Sequence, residues 1–509
     1  MIEKKCDLQF SNQFRKFEAT IFIMSINNKY IENCDGDFYM IISLKNLGIV
    51  KNASIDLKPL TIFIGENNTG KTWAAYTISS LFGKESFVDY HSNLLKGNIQ
   101  QKYPPIKKLV DDLYTTGSGK LDLELFLEEY AKKYYSSLCR STPKRLGFMM
   151  GSTQSFFSNV KISLNLSDNL DKMKKNIRST SMDYSFPQGT NKKGLINVKK
   201  NVNDNTIIFY FSENRSKDEL PYEIITESVS RIILMLVHRS IYFDIHYLPA
   251  ERTGIISFLD TFDIKEEKVE IIPNNMDTDS SNRFQGLISL PIANMINALS
   301  NLSNYKQIQK IKMETNARKF KLFNDAADIL ENEVLEGKIE YKSNESGIGS
   351  ALIYRNSDVK DLELDISIAS STVKDLAPLI LYIRYLLEPQ SVLIIDEPEM
   401  NLHPRNQAKL MEFLVLLVNL KINVIMVTHS PYMVNHLENL IRAFEHEDKD
   451  KILNKFYLKK KNAFISKNDV SVYQFTKENV TRIIDKKGNI NLKTYSGIAE
   501  EIAEIYYDV

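Results

Sequence analysis

The chain is expected to fold as an α/β protein, with a parallel, doubly covered sheet built round a glycine-rich loop and a largely helical insertion. Three stretches predict this. "TIFIGENNTGKTW" at 61–73 runs four strand-type residues into a G-x-x-x-x-G-K-T loop, while "SVLIIDEPEMNLHP" and "INVIMVTHSPYMV" are apolar strand runs separated by a helix-like segment at 404–419. Strands that are apolar throughout and joined by helices belong to parallel sheets covered on both faces.

Taken in order, residues 1–38 are weakly patterned and 1–39 are read as an N-terminal appendage, so the fold is expected to begin at Met40. "MIISLKNLGIVKNASIDLKPLTIFIG" alternates short β-rich runs with turn residues, predicting three strands that feed the loop. "WAAYTISSLFG" continues as a helix that stops at Gly83, so 40–84 forms the first part of the sheet domain. Residues 85–238 read as the insertion: helical through "LDLELFLEEYAKKYYSSL", strand-like at "VKISLNLS" and "NTIIFYFS", with the polar, Lys- and Asn-rich 168–205 between them expected as loops. The second part, 239–440, opens with the β run "SIYFDIHYLPAERTG". It continues with helix over 285–337, short strands at "GKIEYKS", "SALIYR" and "LELDISI", and a Ser/Thr turn opening the amphipathic "ASSTVKDLAPLILYIRYLLE". Residues 441–509 are left as a C-terminal extension.

With 509 residues, 43% hydrophobic and 25% charged, the chain has the composition of a globular protein of more than one structural unit. Its longest apolar runs, Ile232 to Val237 and Phe413 to Val418, are far short of a membrane span, so no membrane contact is expected. Cys6, Cys34 and Cys139 are odd in number and widely spaced, which argues against a disulfide framework or a structural zinc site and fits a reducing cytoplasm. The net charge of +1 excludes a general polyanion binder. Two local basic stretches, Lys306 to Lys321 and Lys459 to Lys461, read either as solvated faces or as DNA contacts.

The chemistry concentrates in a few segments. A phosphate loop needs glycine where backbone amides approach phosphate oxygens, a helix N-terminus behind it, a lysine for the β and γ phosphates and a hydroxyl for Mg²⁺. Gly65, Glu66, Asn67, Asn68, Thr69, Gly70, Lys71 and Thr72 supply these in strand-loop-helix context. "TTGSGK" at 115–120 is a decoy, because Tyr114 and Leu121 stand where the first glycine and the hydroxyl are required; it reads as a turn. Asp396 and Glu397 end an apolar strand, where the first carboxylate suits the Mg²⁺ shell and the second suits the attacking water. The next apolar strand ends at His429, placed to sense the γ phosphate.

In that order, Gly65 to Thr72, the Ser/Thr turn at 370–374, "LIIDEPEMNLHP" and "VTHSP" resemble the Walker A, signature, Walker B, D-loop and switch-His elements of ABC-type ATPases of the RecF/SMC-like group. "IHYLPAERTG" and "ASSTVKDLAPLILYIRYLL" are similar to segments of ATPases from prokaryotic defence systems such as Septu, PARIS and the OLD nucleases. The resemblance covers roughly 40–83 and 240–440 and implies an ABC-ATPase head, in which a P-loop parallel sheet carries an antiparallel β lobe. It implies phosphate and Mg²⁺ binding by Lys71 and Thr72, completion of the Mg²⁺ site by Asp396, catalysis by Glu397 as base with His429 as switch, and a D-loop at Asn401, Leu402 and His403. Ser370 and Ser371 would present hydroxyls and a helix N-terminus to the γ phosphate of an opposite subunit. The chain departs from the transporter-type signature, with Ser371 and Thr372 in place of two glycines. It also lacks an identifiable Q-loop Gln, for which Glu251 or Arg252 is the candidate substitute and a structural turn the equal reading.

The resulting expectation is an enzyme that uses ATP and Mg²⁺ and acts as sensor or motor in antiphage defence or DNA maintenance. The expected partners are further copies in a homodimer or higher even-numbered oligomer, a separate effector such as a nuclease or toxin, and DNA. The C-terminal 70 residues lack the acidic pattern of a Toprim or HNH nuclease. A nucleotide-switched scaffold with negligible turnover is the alternative, and the large insertion argues against a transporter subunit.

Overall fold

The computed structural model describes residues 27–28, 40–97, 99–152, 154–166, 169–188, 194–212, 221–258, 288–343, 350–356, 362–492 and 504–505. The proposed appendage therefore lies outside the described residues, apart from Asn27–Asn28, which pair antiparallel with Thr180 and Ser181.

The chain opens with β1 (Met40–Leu47) and β2 (Val50–Leu57), and then β3 (Leu60–Gly65) runs into the loop and α1 (Lys71–Phe82). The expected helix stop at Gly83 is observed. Next come α2 (Lys84–Lys96), α3 (Pro104–Thr116), β4 (Ser118–Asp122), α4 (Leu123–Met149) and β5 (Lys161–Asn165). The "TTGSGK" decoy is the end of α3, a left-handed Gly117 and the start of β4, as its non-matching positions require. Residues 168–205 correct the expectation of loops, since they contain α5 (Leu170–Ser179), β6 (Thr180–Gln188) and part of a hairpin with β7 (Gly194–Lys200). Their polarity is that of one exposed face. Met173 and Ile177 on α5, and Met182, Ile196 and Val198 on the strands, are buried at alternating or helical spacing. β8 (Thr206–Phe211) and α6 (Tyr222–Arg239) complete the segment.

The remainder is β9 (Ile245–Leu248), α7 (Arg252–Ser257), α8 (Leu290–Ser300), α9 (Leu302–Leu330), β10 (Gly337–Ser343), β11 (Ser350–Asn356), β12 (Glu363–Asp365), α10 (Ser371–Tyr385), β13 (Val392–Asp396), α11 (Pro404–Asn419), β14 (Asn423–Thr428), α12 (Pro431–Glu445), β15 (Val470–Phe475) and β16 (Val480–Arg482).

The main sheet has the order β9-β13-β14-β3-β15-β16, parallel throughout except for β16. It is covered on both faces. Phe63, Ile394, Val427 and Phe475 point into one core with α1 and the inserted helices, while Ile62, Ile395, Met426 and Val472 point into a second core with α10, α11 and α12. An antiparallel lobe of order β2-β1-β5 stands beside the sheet, and its third strand comes from within 85–238. That segment is therefore knitted into the domain: its helices share a core with α1 and the sheet, and its own antiparallel sheet adds β6, β7, β8 and β4. Among the described residues, no helix is long and apolar enough to cross a membrane.

The C-terminal extension is corrected more sharply. β15 pairs in parallel with β3 through Val470↔Leu60 to Phe475↔Gly65, so residues past 441 supply a strand directly beside the glycine-rich loop. Gly65 shows the intimacy of this packing. It has φ +150°, and a Cβ there would lie 2.1 Å from the Phe475 carbonyl oxygen.

Removing residues 466–509 is expected to unfold the head. It strips Val470, Val472, Tyr473 and Phe475 from the two cores, worth about 6–12 kcal/mol at about 1.5–3 kcal/mol each, which is comparable to the whole stability of a domain. Circular dichroism and size-exclusion of the truncated chain check this; a folded, monodisperse product would contradict it.

Candidate nucleotide-binding site

The register of the parallel strands brings the predicted residues to one sheet edge. Asp396 pairs with Val427 and Thr428 with Ile64, so β13, β14 and β3 end side by side. β14 lies between the other two, which sets His429 between the loop after β3 and the acids after β13.

In the loop, Asn68 at φ +59° and Gly70 at φ +89° turn the chain so that α1 begins at Lys71 with no side-chain cap on its amides. Those free N–H groups and the helix dipole make an anion site. The Lys71 ammonium folds back over the loop, donating to the carbonyl oxygens of Gly65 at 2.9 Å and Glu66 at 2.5 Å and lying 3.4 Å from Thr69 Oγ1. Burial lowers its pKa to about 8, against the opposing pull of Asp396, Glu397, Glu399 and Glu66. Glu66, Asn67 and Asn68 are exposed at the loop's rim, and Thr69 donates to the Glu66 carbonyl at 2.8 Å.

Asp396 is only 3% exposed. The Tyr247 hydroxyl donates to its Oδ2 at 3.3 Å, while Oδ1 is buried with no hydrogen-bond partner. Burial raises its pKa to about 7, with Glu397 adding to the rise and the Thr72 and Tyr247 hydroxyls moderating it. An orphaned, desolvated carboxylate oxygen beside a threonine hydroxyl fits a hard divalent cation, which would satisfy it. Glu397 is on a left-handed backbone at φ +48°, held by its N–H to the Val427 carbonyl at 2.8 Å, and its side chain is 38% exposed. Its Oε1 lies 3.8 Å from His429 Nε2. Burial, with the Lys71 charge, pushes the His429 pKa down to about 4, so the ring is neutral at pH 7.

Ser370 caps α10, its hydroxyl accepting from the Val373 N–H at 3.4 Å, and Ser371 is exposed at the helix start. Among the described residues, no hydrogen bond joins either serine to the chain's own phosphate loop. Thr372 instead donates to the Asn401 carbonyl at 2.8 Å, tying this turn to the segment after the acids. His403 caps α11.

Of the two candidates for the missing Gln, Arg252 is excluded. It is 1% exposed, and its guanidinium is committed to the carbonyl oxygens of Asp396 and Glu397, each at 2.7 Å, and of Pro249 at 3.2 Å. Glu251 is exposed and close enough to Asp396 for its charge to raise that group's pKa. Sequence reasoning missed Tyr247, Asp375 and Glu399. The half-buried Glu399 side chain accepts through Oε1 from Thr428 Oγ1 at 2.8 Å and the His429 N–H at 2.6 Å, fixing the end of β14. A carboxylate three positions past Asp396, the last residue of β13, was its only signal. Of the basic stretches, Lys306, Lys310 and Lys321 are exposed along α9, whereas Lys461 is paired with Asp450 at 2.6 Å.

Asp396→Asn is expected to stabilise the nucleotide-free protein by about 1 kcal/mol, since an amide removes a poorly satisfied buried charge. The gain is larger at pH 8, where the carboxylate must ionise in place, than at pH 5, where it holds a proton. Urea unfolding at both pH values checks this, and a variant less stable at pH 8 would contradict it.

Residues 40–434 match the family model described as an AAA ATPase domain. No curated protein matches the chain. Solved structures similar to it include an SMC head bound to the C-terminal winged-helix domain of ScpA, with 10% identity over 90% of this chain and 99% of that one and a TM-score of 0.38. A second is an SMC head with extended coiled coil bound to the C-terminal domain of ScpA, derived from Pyrococcus furiosus, with 12% identity over 92% and 100% of the two chains and a TM-score of 0.33. With the family match spanning most of its length and the phosphate loop, acids and histidine gathered at one sheet edge, the chain belongs to the AAA ATPase domain family.

Proposed function

We propose that the protein hydrolyses ATP between two copies of itself, in the manner of RecF/SMC-like ABC-type heads. The observation that carries this reading is the convergence of Lys71, Asp396, Glu397 and His429 at the ends of three adjacent parallel strands. Lys71 exchanges the loop carbonyls for β and γ phosphate oxygens, and the α1 amides take the remaining charge. Thr72 and Asp396 would hold Mg²⁺, which would supply neutralisation of charge on the phosphates. Glu397 accepts the proton of the attacking water. Neutral His429, 3.8 Å away, orients that water or contacts the γ phosphate. The exposed Ser371 and the N-terminus of α10 face outward, where a second copy's nucleotide completes them.

The likeness of "IHYLPAERTG" and the α10 segment to defence ATPases supports a role as sensor or motor in antiphage defence or DNA maintenance, controlling a separate nuclease or toxin. The exposed lysines of α9 are the surface offered to DNA.

Glu397→Gln keeps the side chain's shape but cannot take a proton, so it should retain ATP, slow hydrolysis by roughly 10²- to 10⁴-fold and trap the dimer. Lys71→Ala should lose ATP before any dimer closes. Ser371→Arg should bind ATP and stay monomeric. Nucleotide binding, phosphate release and light scattering on each variant distinguish these. ATP-driven dimers without phosphate release in the wild type would leave the scaffold reading, and wild-type turnover by Glu397→Gln would place the base elsewhere.

A further inference from the structure

The buried centre of the site is an ion pair that phosphate chemistry does not use. Asp375 lies on α10, one turn beyond Ser371, and is 2% exposed. Its Oδ1 accepts from the Thr253 hydroxyl and lies 3.8 Å from Arg252 Nε. Its Oδ2 accepts from the Asn401 amide at 2.6 Å, and its backbone carbonyl accepts from Arg252 Nε at 3.2 Å. Arg252 in turn grips the carbonyls of Asp396 and Glu397. One carboxylate thus joins the helix that opens at Ser371, the turn at Asn401 and the backbone that aims Glu397. Both ends of the acidic turn adopt left-handed backbone, with Asn401 at φ +55°, where asparagine is readily accommodated, and Glu397 at φ +48°, which a glutamate seldom adopts unless its surroundings impose it.

We infer that Asp375 is a positioning residue that couples contact at the N-terminus of α10 to the aim of Glu397, so that hydrolysis answers to closure on a second copy. The inference rests on the dimeric ATPase reading. A push on Ser371 moves α10 along its axis, and Asp375 moves with it. Arg252 and Asn401 are both bonded to Asp375, so they carry that shift to the two ends of the 396–401 turn. The pair is buried and its hydrogen bonds are directional, so it has little freedom to absorb the displacement.

Replacing Asp375 itself would strand Arg252, so the test uses its two lighter partners. Glycine tolerates φ +55°, so Asn401→Gly deletes the amide link without disturbing the backbone. Thr253→Val deletes the hydroxyl link, and Thr253→Ser retains it. Asn401→Gly and Thr253→Val are expected to lower kcat by about 10²-fold, the scale of a 1 Å misplacement, with KM for ATP, ATP-driven dimerisation of the Glu397→Gln background and melting temperature all close to those of the parent. Thr253→Ser should restore turnover. The inference is overturned if both variants keep the parental kcat, or if kcat falls only together with ATP affinity and melting temperature, which would make the network a structural brace. Absence of ATP turnover or ATP-driven dimers in the wild type would overturn the functional reading itself, and this inference with it.

Discussion

The site depends on the parallel register of three strands. With Asp396 opposite Val427 and Thr428 opposite Ile64, the ends of β13, β14 and β3 fall level, and each strand then releases its chain at the same edge. A shift of one residue would turn every apolar side chain of the shifted strand to the opposite core. The two cores therefore hold the register, and the register holds the chemistry. Insertions elsewhere are tolerable as long as this row is kept. That accounts for how the residues from 83 to 244, between α1 and β9, coexist with an intact site.

The parts of this site legible in the sequence are those whose geometry is local. Gly65 to Thr72, Asp396 with Glu397, and His429 each sit at the end of an apolar strand, and an apolar strand in a parallel sheet has a definite end from which to project side chains. The helix over 404–419 and the stop at Gly83 were readable for the same reason, because periodicity and a breaking glycine act within a few residues. Arg252 was not readable. Its partners Asp375 and Glu397 lie 123 and 145 residues away, and nothing in "LPAERTG" distinguishes a buried guanidinium from an exposed turn.

The two misjudged regions fail for opposite physical reasons. Residues 168–205 are polar because their helix and hairpin bury only one face, so composition masked an alternation that Met182, Ile196 and Val198 nonetheless obey. "VSVYQF" at 470–475 is plainly strand-like, but its place in the main sheet comes from a pairing with β3 more than 400 residues earlier. Local pattern specifies that a strand exists; only the tertiary fit specifies its neighbour, and here that fit includes the Phe475 carbonyl closing on a glycine that has no side chain to obstruct it.

The same arrangement explains why the site is chemically restless while its scaffold is well satisfied. Arg252 and Asp375 have buried polar groups whose partners are internal, and they brace the turn that bears Glu397. The groups at the sheet edge are left with poorer company: Lys71 is desolvated and borrows carbonyls from its own loop, and Asp396 and Glu399 each keep a buried oxygen with no partner. A phosphate-bearing ligand with a divalent cation answers both needs at once, giving the ammonium an anion and the carboxylate a cation. Whatever binds there gains by relieving local costs already present in the fold, and it must thereby stabilise the folded state in proportion to its occupancy. The raised pKa of Asp396 and the lowered pKa of Lys71 are, in this edge of the sheet, two consequences of the same desolvation.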